Sequence, residues 1–123
     1  MPDSTRQLLV KVTCGADDAD RANQGLTVAA MGVAAGAEVS LWLTGEAVWF
    51  AVTGRNVDLG LPGATPAAEL MEALISAARV TVCSQCAFRR EVTDDLLAGG
   101  AGIRGAAGFV EEALAEGVQA LVY

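Results

Sequence analysis

The chain has 123 residues, of which 53% are hydrophobic, 19% charged and 5% aromatic, and its formal net charge is −7. A disordered chain would need fewer apolar residues and more charges, and a nucleic-acid-binding protein would need a basic face. The sequence contains no histidine, which excludes serine–histidine and cysteine–histidine catalysis and histidine metal ligands. We expect one domain over residues 1–123, with a flexible start at 1–6.

Strands and helices are predicted to alternate along the chain. The strands are expected in five mostly apolar segments: 7–13, 38–43, 79–82, 101–103 and 118–123. The helices are expected between them, where capping residues precede apolar residues at helical spacing: 18–35, 46–52, 66–78, 84–90 and 106–116. This alternation predicts an α/β fold with a mostly parallel sheet and helices on both faces. The segments 8–12, 39–43 and 80–82 are the most apolar, so we expect them at the centre of the sheet.

The segment Cys83-Ser84-Gln85-Cys86 is the strongest local indication of chemistry. It lies where a strand meets a helix, and backbone N–H groups and the helix dipole favour a thiolate there. Arg89 and Arg90 follow and add positive charge in an otherwise acidic chain. A small buried cysteine that merely ends a strand is the alternative interpretation. We predict that Cys83 is reactive, that Cys86 is a second site thiol, and that Arg89 and Arg90 bind an anion.

Cys14 follows the first strand, so parallel topology predicts it at the same sheet edge as Cys83. Asp17 and Asp18 lie close to it in sequence, and their negative charge should raise the pKa of its thiol. We therefore expect alkylation of Cys83 first, Cys86 second and Cys14 last.

Other kinds of site are less favoured by the sequence. Three cysteines without histidine make an unusual zinc set, and a thioredoxin-like motif would come earlier in the chain. The segment 100–105 matches G-x-G-x-x-G, but it does not follow the first strand and is interpreted as a turn. We expect neither a metal nor a bound cofactor.

The aromatic residues Trp42, Trp49 and Phe50 lie close together in sequence. The segment 46–52 is apolar on every side, so a single buried face does not account for it. We predict that Trp49 or Phe50 lies in a subunit interface. No segment is long and apolar enough to span a membrane, and the first residues do not resemble a signal peptide, so a cytoplasmic location is expected.

Several segments together resemble the DsrE/DsrF-like family, which includes the Tus-type sulfur-relay subunits and small homologues. They are, in chain order, 15–22 (GADDADRA), 36–39 (GAEV), 80–83 (VTVC) followed by Cys86 and Arg89, and 118–123 (VQALVY). Their order and spacing carry the resemblance, which covers nearly the whole chain.

This resemblance implies a three-layer α/β/α sandwich with a mostly parallel five-stranded sheet, assembled as a homotrimer or homohexamer. In the sulfur-relay members, a cysteine at the position of Cys83 carries sulfur as a persulfide between partner proteins. Cys86 matches a second cysteine of many small homologues. The family often has glycine after the cysteine helix, where this chain has Glu91.

Three functions remain open at this point. The first is a sulfur-carrier or sulfurtransferase-like protein, in which Cys83 accepts sulfur, Arg89 and Arg90 hold the anion, and Cys86 resolves the persulfide. The second is a non-catalytic oligomeric binding or scaffold protein, and the third is a dithiol redox sensor. For the first function, the partners would be sulfur-donor or sulfur-acceptor proteins; neither nucleic acid nor a membrane is expected.

Overall fold

The computed structural model describes residues 5–123, so residues 1–4 of the expected flexible start lie outside the described part of the chain. Within that part, the strands are β1 (Gln7–Val12), β2 (Glu38–Leu43), β3 (Arg79–Cys83), β4 (Gly102–Arg104) and β5 (Val118–Val122). The α-helices are α1 (Ala19–Ala34), α2 (Ala67–Ala77), α3 (Ser84–Arg89) and α4 (Ala106–Leu114). A 3-10 helix, Gly45–Ala51, follows β2, and shorter 3-10 turns lie at Ala16–Asp18 and Asp94–Leu96.

The strands form one sheet in the order β4-β3-β2-β1-β5, and every pair is parallel. The three most apolar strands, β1, β2 and β3, are therefore central, as predicted. Their residues are in register, with Leu8 beside Val39 and Leu41 beside Val80. The α/β fold with a parallel five-stranded sheet is confirmed.

One face of the sheet carries the main hydrophobic core, beneath α1 and α2. Buried strand residues pack there against helix residues: Val10, Val12, Leu41, Leu43, Val80 and Val82 with Leu26, Ala29, Leu70 and Leu74. Two glycines bring α1 close to the strands. A Cβ added at Gly25 would lie 2.6 Å from Cγ2 of Val12, and one added at Gly32 would lie 2.8 Å from Cδ2 of Leu8. Close packing, rather than helix propensity, therefore explains these glycines.

The opposite face is covered by α4. Successive strand residues point to opposite faces, so Ser40 and Trp42 point away from the α1–α2 core. Both donate hydrogen bonds to Glu112 of α4. Helices therefore lie on both faces, as the alternation of elements predicts.

Several predicted boundaries differ from those of the structure. The apolar segment predicted as a helix at 46–52 is a 3-10 helix, Gly45–Ala51, and Gly45 begins it with φ +55°. Pro66 caps α2 in an extended conformation instead of occupying its first turn. The fourth strand begins one residue later than predicted, at Gly102, and α4 ends at Leu114. These ends depend on local backbone geometry, which residue patterns determine only within a few positions.

Candidate functional site

Cys83 is the last residue of β3 and the residue that precedes the first turn of α3. Its thiol is half-buried. Burial acts to raise the pKa of this thiol, but the neighbouring backbone N–H groups of Cys86 and Gln85 and the Cys86 thiol act to lower it and outweigh burial. The positive charge of Lys11 acts in the same direction, and the pKa of Cys83 is lowered. The arrangement favours a thiolate.

Cys14 lies at the same sheet edge but in a different environment. It is buried just beyond β1, and burial raises the pKa of its thiol. The carboxylates of Asp18 and Asp17 raise it further, against a smaller opposing effect of Arg21. The pKa values of the two cysteines at this edge are therefore shifted in opposite directions, and Cys14 favours the neutral thiol.

The two arginines that follow Cys86 differ in their surroundings. Arg90 donates to Glu46 over 2.8 Å and to the backbone carbonyl of Cys86 over 3.2 Å, which ties α3 to the 3-10 helix. Arg89 is exposed and donates to Oε1 of Gln85. Arg89, Gln85, Ser84 and Phe88 line an open recess of about 400 Å³ on α3, whose lining does not include Cys83 or Cys86. Only Arg89 therefore presents its charge at this recess.

Two cations on the α4 face of the sheet were not singled out from the sequence. Lys11, in β1, places its ammonium 4.9 Å from the centre of the Phe109 ring. Arg104, in β4, pairs in register with Cys83. A lysine is unusual inside a central apolar strand, so the polar interruption of the first strand was the sequence feature that could have indicated Lys11. Nothing in the glycine-rich segment around Arg104 indicated a charge next to Cys83.

Glu112 of α4 holds the second of these cations. Its carboxylate accepts hydrogen bonds from Arg104 at 2.7 Å, from Oγ of Ser40 at 2.5 Å and from Nε1 of Trp42 at 3.1 Å. Burial raises the pKa of Glu112, but these hydrogen bonds outweigh it and the pKa is lowered. Glu112 is therefore a carboxylate, and it compensates the charge of Arg104.

Residues 5–123 contain neither a metal-binding group nor a membrane-spanning helix. Within residues 5–123, no three of the cysteine, aspartate and glutamate side chains lie together as a metal-binding group. No helix in that range has the length and apolar character to cross a bilayer.

The chain belongs to the DsrE/DsrF-like family, whose sequence model matches residues 7–122. Its fold is similar to that of the ychN protein from E. coli, with a TM-score of 0.75, 17% identity and coverage of 97% of this chain and 99% of the other. It is also similar to MTH1491, a protein of unknown function from Methanobacterium thermoautotrophicum, with a TM-score of 0.70, 13% identity and coverage of 98% and 100%. No curated protein matches the chain in sequence.

Proposed function

We propose that the protein is a sulfur carrier of the sulfurtransferase-like kind, with Cys83 as the residue that holds sulfur as a persulfide. The observation that supports this most strongly is the environment of Cys83. Its thiol is half-buried, lies beside the backbone N–H groups of α3 and has a lowered pKa. A thiolate is the nucleophile in sulfur transfer, and Cys14 favours the neutral thiol. Membership of the DsrE/DsrF-like family supports the same chemistry.

The first step is loading. The Cys83 thiolate attacks the terminal sulfur of a donor persulfide, the sulfur–sulfur bond of the donor breaks, and the donor leaves as a thiolate. Cys83 then carries the persulfide. Arg89 supplies positive charge on α3 for an anionic donor, whereas the charge of Arg90 is paired with Glu46.

Two outcomes are open to the loaded protein. An acceptor thiolate can attack the terminal sulfur and regenerate the Cys83 thiolate. Alternatively, Cys86 attacks the inner sulfur, which forms a Cys83–Cys86 disulfide and releases hydrosulfide. Cys86 lies in the first turn of α3, directly after Cys83, and its thiol acts on the pKa of Cys83, which supports this second route. A reducing thiol is then required to restore the free cysteines.

The test is a measurement of bound sulfane sulfur per chain after incubation with a persulfide donor and removal of the excess. We expect the wild-type protein and Cys14→Ser to carry sulfane sulfur, and Cys83→Ser to carry none. Cys86→Ser should hold the sulfur longer and release less sulfide. Equal loading of Cys83→Ser and the wild type would refute the proposal.

A dithiol redox sensor is the second candidate, and the contact between the Cys86 thiol and Cys83 favours it. This function requires only reversible oxidation of the pair, with the loss of two hydrogen atoms and no gain of sulfur. The mass of the protein after exposure to a mild oxidant and then to a persulfide donor distinguishes the two functions.

We also propose a homotrimer or homohexamer in the cytoplasm. Large apolar side chains on α4 and β5 are exposed, among them Val110, Leu114 and Val122. Such residues often mark a subunit interface when they lie together on one face. The free thiols of the proposed chemistry need a reducing compartment, which supports the cytoplasmic location.

A further inference from the structure

We propose that Lys11 is the positioning residue that keeps the sulfur of Cys83 anionic between transfers; this rests on the proposed function of Cys83 as a sulfur carrier. Lys11 interrupts the apolar strand β1, on the face of the sheet that Cys83 shares. It is the only lysine of the chain.

The sheet register places Lys11 on the same face as Cys83. Lys11 pairs with Trp42, and Trp42 pairs with Thr81, so these three side chains share a row and a face. Cys83 lies two residues beyond Thr81 and therefore on that face too. Two strand spacings and two residue rises put the Cα atoms of Lys11 and Cys83 roughly 12 Å apart, a gap that the long lysine side chain shortens.

The ammonium of Lys11 is held in place without being neutralised. It is half-buried and lies over the ring of Phe109, a cation–π contact that restrains the ammonium without pairing it with a carboxylate. The ion pairs of residues 5–123 join other groups and do not include Lys11.

The other cations near Cys83 lie on different elements and differ in their partners. Arg104, beside Cys83 on β4, is bound by Glu112 of α4, and Arg90 at the end of α3 is bound by Glu46 of the 3-10 helix. Arg89 of α3 donates to the neutral amide oxygen of Gln85 and lines the open recess on that helix. Lys11 is therefore the uncompensated charge that acts on the sulfur from the sheet side.

The positive charge of Lys11 favours both steps of sulfur transfer at Cys83, loading and delivery. During loading, it raises the fraction of thiolate that attacks the donor. During delivery, an acceptor thiolate attacks the terminal sulfur, the sulfur–sulfur bond breaks and Cys83 leaves as a thiolate. A better stabilised thiolate is a better leaving group. The expected effect of Lys11 is therefore on the rates of both steps rather than on binding of the partner.

The experiment measures the alkylation rate of Cys83 against pH in wild type, Lys11→Met and Lys11→Arg. Methionine keeps an unbranched side chain against Phe109 and removes only the charge. We expect the midpoint of the curve of Cys83 alkylation rate against pH to lie at higher pH in Lys11→Met than in wild type. Alkylation at neutral pH should be roughly three- to tenfold slower. Lys11→Arg should restore the wild-type midpoint. Added salt should slow wild type more than Lys11→Met, because only the wild type has the charge to screen.

Arg55→Met is the matched control, since Arg55 also lies over an aromatic ring, that of Trp49, at 3.8 Å. It removes one positive charge and one ring contact away from Cys83, and its midpoint should equal that of wild type. Equal midpoints for Lys11→Met and wild type, or an equal slowing in Arg55→Met, would overturn the proposal. If Lys11→Met does not fold, Lys11→Gln replaces it and is judged by the same two comparisons.

A separate assay of sulfur loading distinguishes this proposal from the proposed function. A shifted midpoint in Lys11→Met with no loading of wild type would refute the sulfur carrier and still support a Lys11–thiolate interaction. Normal loading of wild type with an unshifted midpoint would refute the role of Lys11 alone.

Discussion

At the carboxyl edge of the sheet, Cys83 and Cys14 have different surroundings, and their thiols differ in pKa for that reason. Cys83 lies beside backbone N–H groups at the start of α3, whereas Cys14 is buried near the carboxylates of Asp17 and Asp18. The same residue type thus has opposite pKa shifts at neighbouring strand ends. Neighbouring N–H groups, a thiol and a positive charge outweigh burial at Cys83, whereas negative charge adds to burial at Cys14.

The first prediction is that Cys83 is alkylated before Cys14 across the neutral range. A lowered pKa means that the Cys83 thiolate forms at lower pH, so its labelling rate levels off below the pH at which an ordinary cysteine does. The raised pKa of Cys14 requires higher pH for the same rate. Labelling with iodoacetamide against pH, followed by peptide mass, measures both curves. Earlier labelling of Cys14 would contradict this account.

Sequence reasoning reached part of this site and missed the rest for an identifiable reason. The strand-to-helix junction at Cys83 and the carboxylates near Cys14 are local in sequence, so their effects could be predicted. Lys11 acts across two strands of the sheet, and that neighbourhood exists only once the register is known. Glu46 is likewise remote in sequence from Arg90, which it binds.

A second prediction at the residue scale concerns Glu91, which has φ +56° at the end of α3. That conformation is strained for residues other than glycine. Glu91→Gly removes the strain, although it also gives the unfolded chain more freedom, and should stabilise the protein by about 0.5–1 kcal/mol. Denaturant unfolding measures this. The control, Glu111→Gly within α4, should lose about 0.5–1 kcal/mol, and a loss in both variants would count against strain at Glu91.

At the scale of elements, Glu112 and Phe109 attach α4 to the sheet. No helix residue of α4 is fully buried, but the Phe109 ring packs edge-on against Trp42, with 5.5 Å between the ring centres. The Glu112 carboxylate connects α4 to Ser40 and Trp42 of β2 and to Arg104 of β4. The α4 helix was predicted from sequence, but this attachment was not, since it joins residues of three separate elements.

The third prediction is that Glu112→Gln destabilises the protein by about 2–3 kcal/mol at neutral pH, because hydrogen bonds to a charged acceptor are stronger than neutral ones. The pKa of Glu112 is lowered in the folded protein. Its contribution is therefore complete above the ordinary glutamate pKa of about 4.3 and is lost as pH falls through the lower, folded value.

Unfolding free energies of wild type and Glu112→Gln against pH test this prediction. The gap between them should be constant near neutrality and should close in acid. Glu111→Gln is the matched control, since Glu111 is the exposed neighbour in the same helix, and it should behave as wild type. A gap that is unchanged down to strongly acidic pH would contradict the prediction.

At the scale of the whole molecule, several large apolar side chains of α4 and β5 are exposed. Leu114 is 80% exposed and Val122 is 62% exposed, and β5 is an edge strand of the sheet. Trp49 and Phe50, which the sequence predicts at a subunit interface, are half-buried and pack against the core of their own chain. Their remaining exposed surface leaves the interface a prediction.

The fourth prediction concerns assembly. Light scattering at micromolar concentration should give the mass of three or six chains, and Leu114→Glu should lower that mass by placing a charge in the interface. Leu96→Glu, at an exposed leucine of the 3-10 turn Asp94–Leu96, is the control and should leave the mass unchanged. Trp49→Ala should also lower the mass, because Trp49 or Phe50 is predicted to lie in an interface. A wild-type monomer would refute this prediction.

The central claim is that Cys83 carries transferable sulfur, and peptide-resolved mass spectrometry after incubation with a persulfide donor tests it most directly. The account predicts a gain of one sulfur atom on the peptide that contains Cys83, no gain on the peptide that contains Cys14, and loss of the gain in Cys83→Ser. In Cys86→Ser the gain should persist. Sulfur found on Cys14, or on no cysteine of the wild-type protein, would contradict the claim.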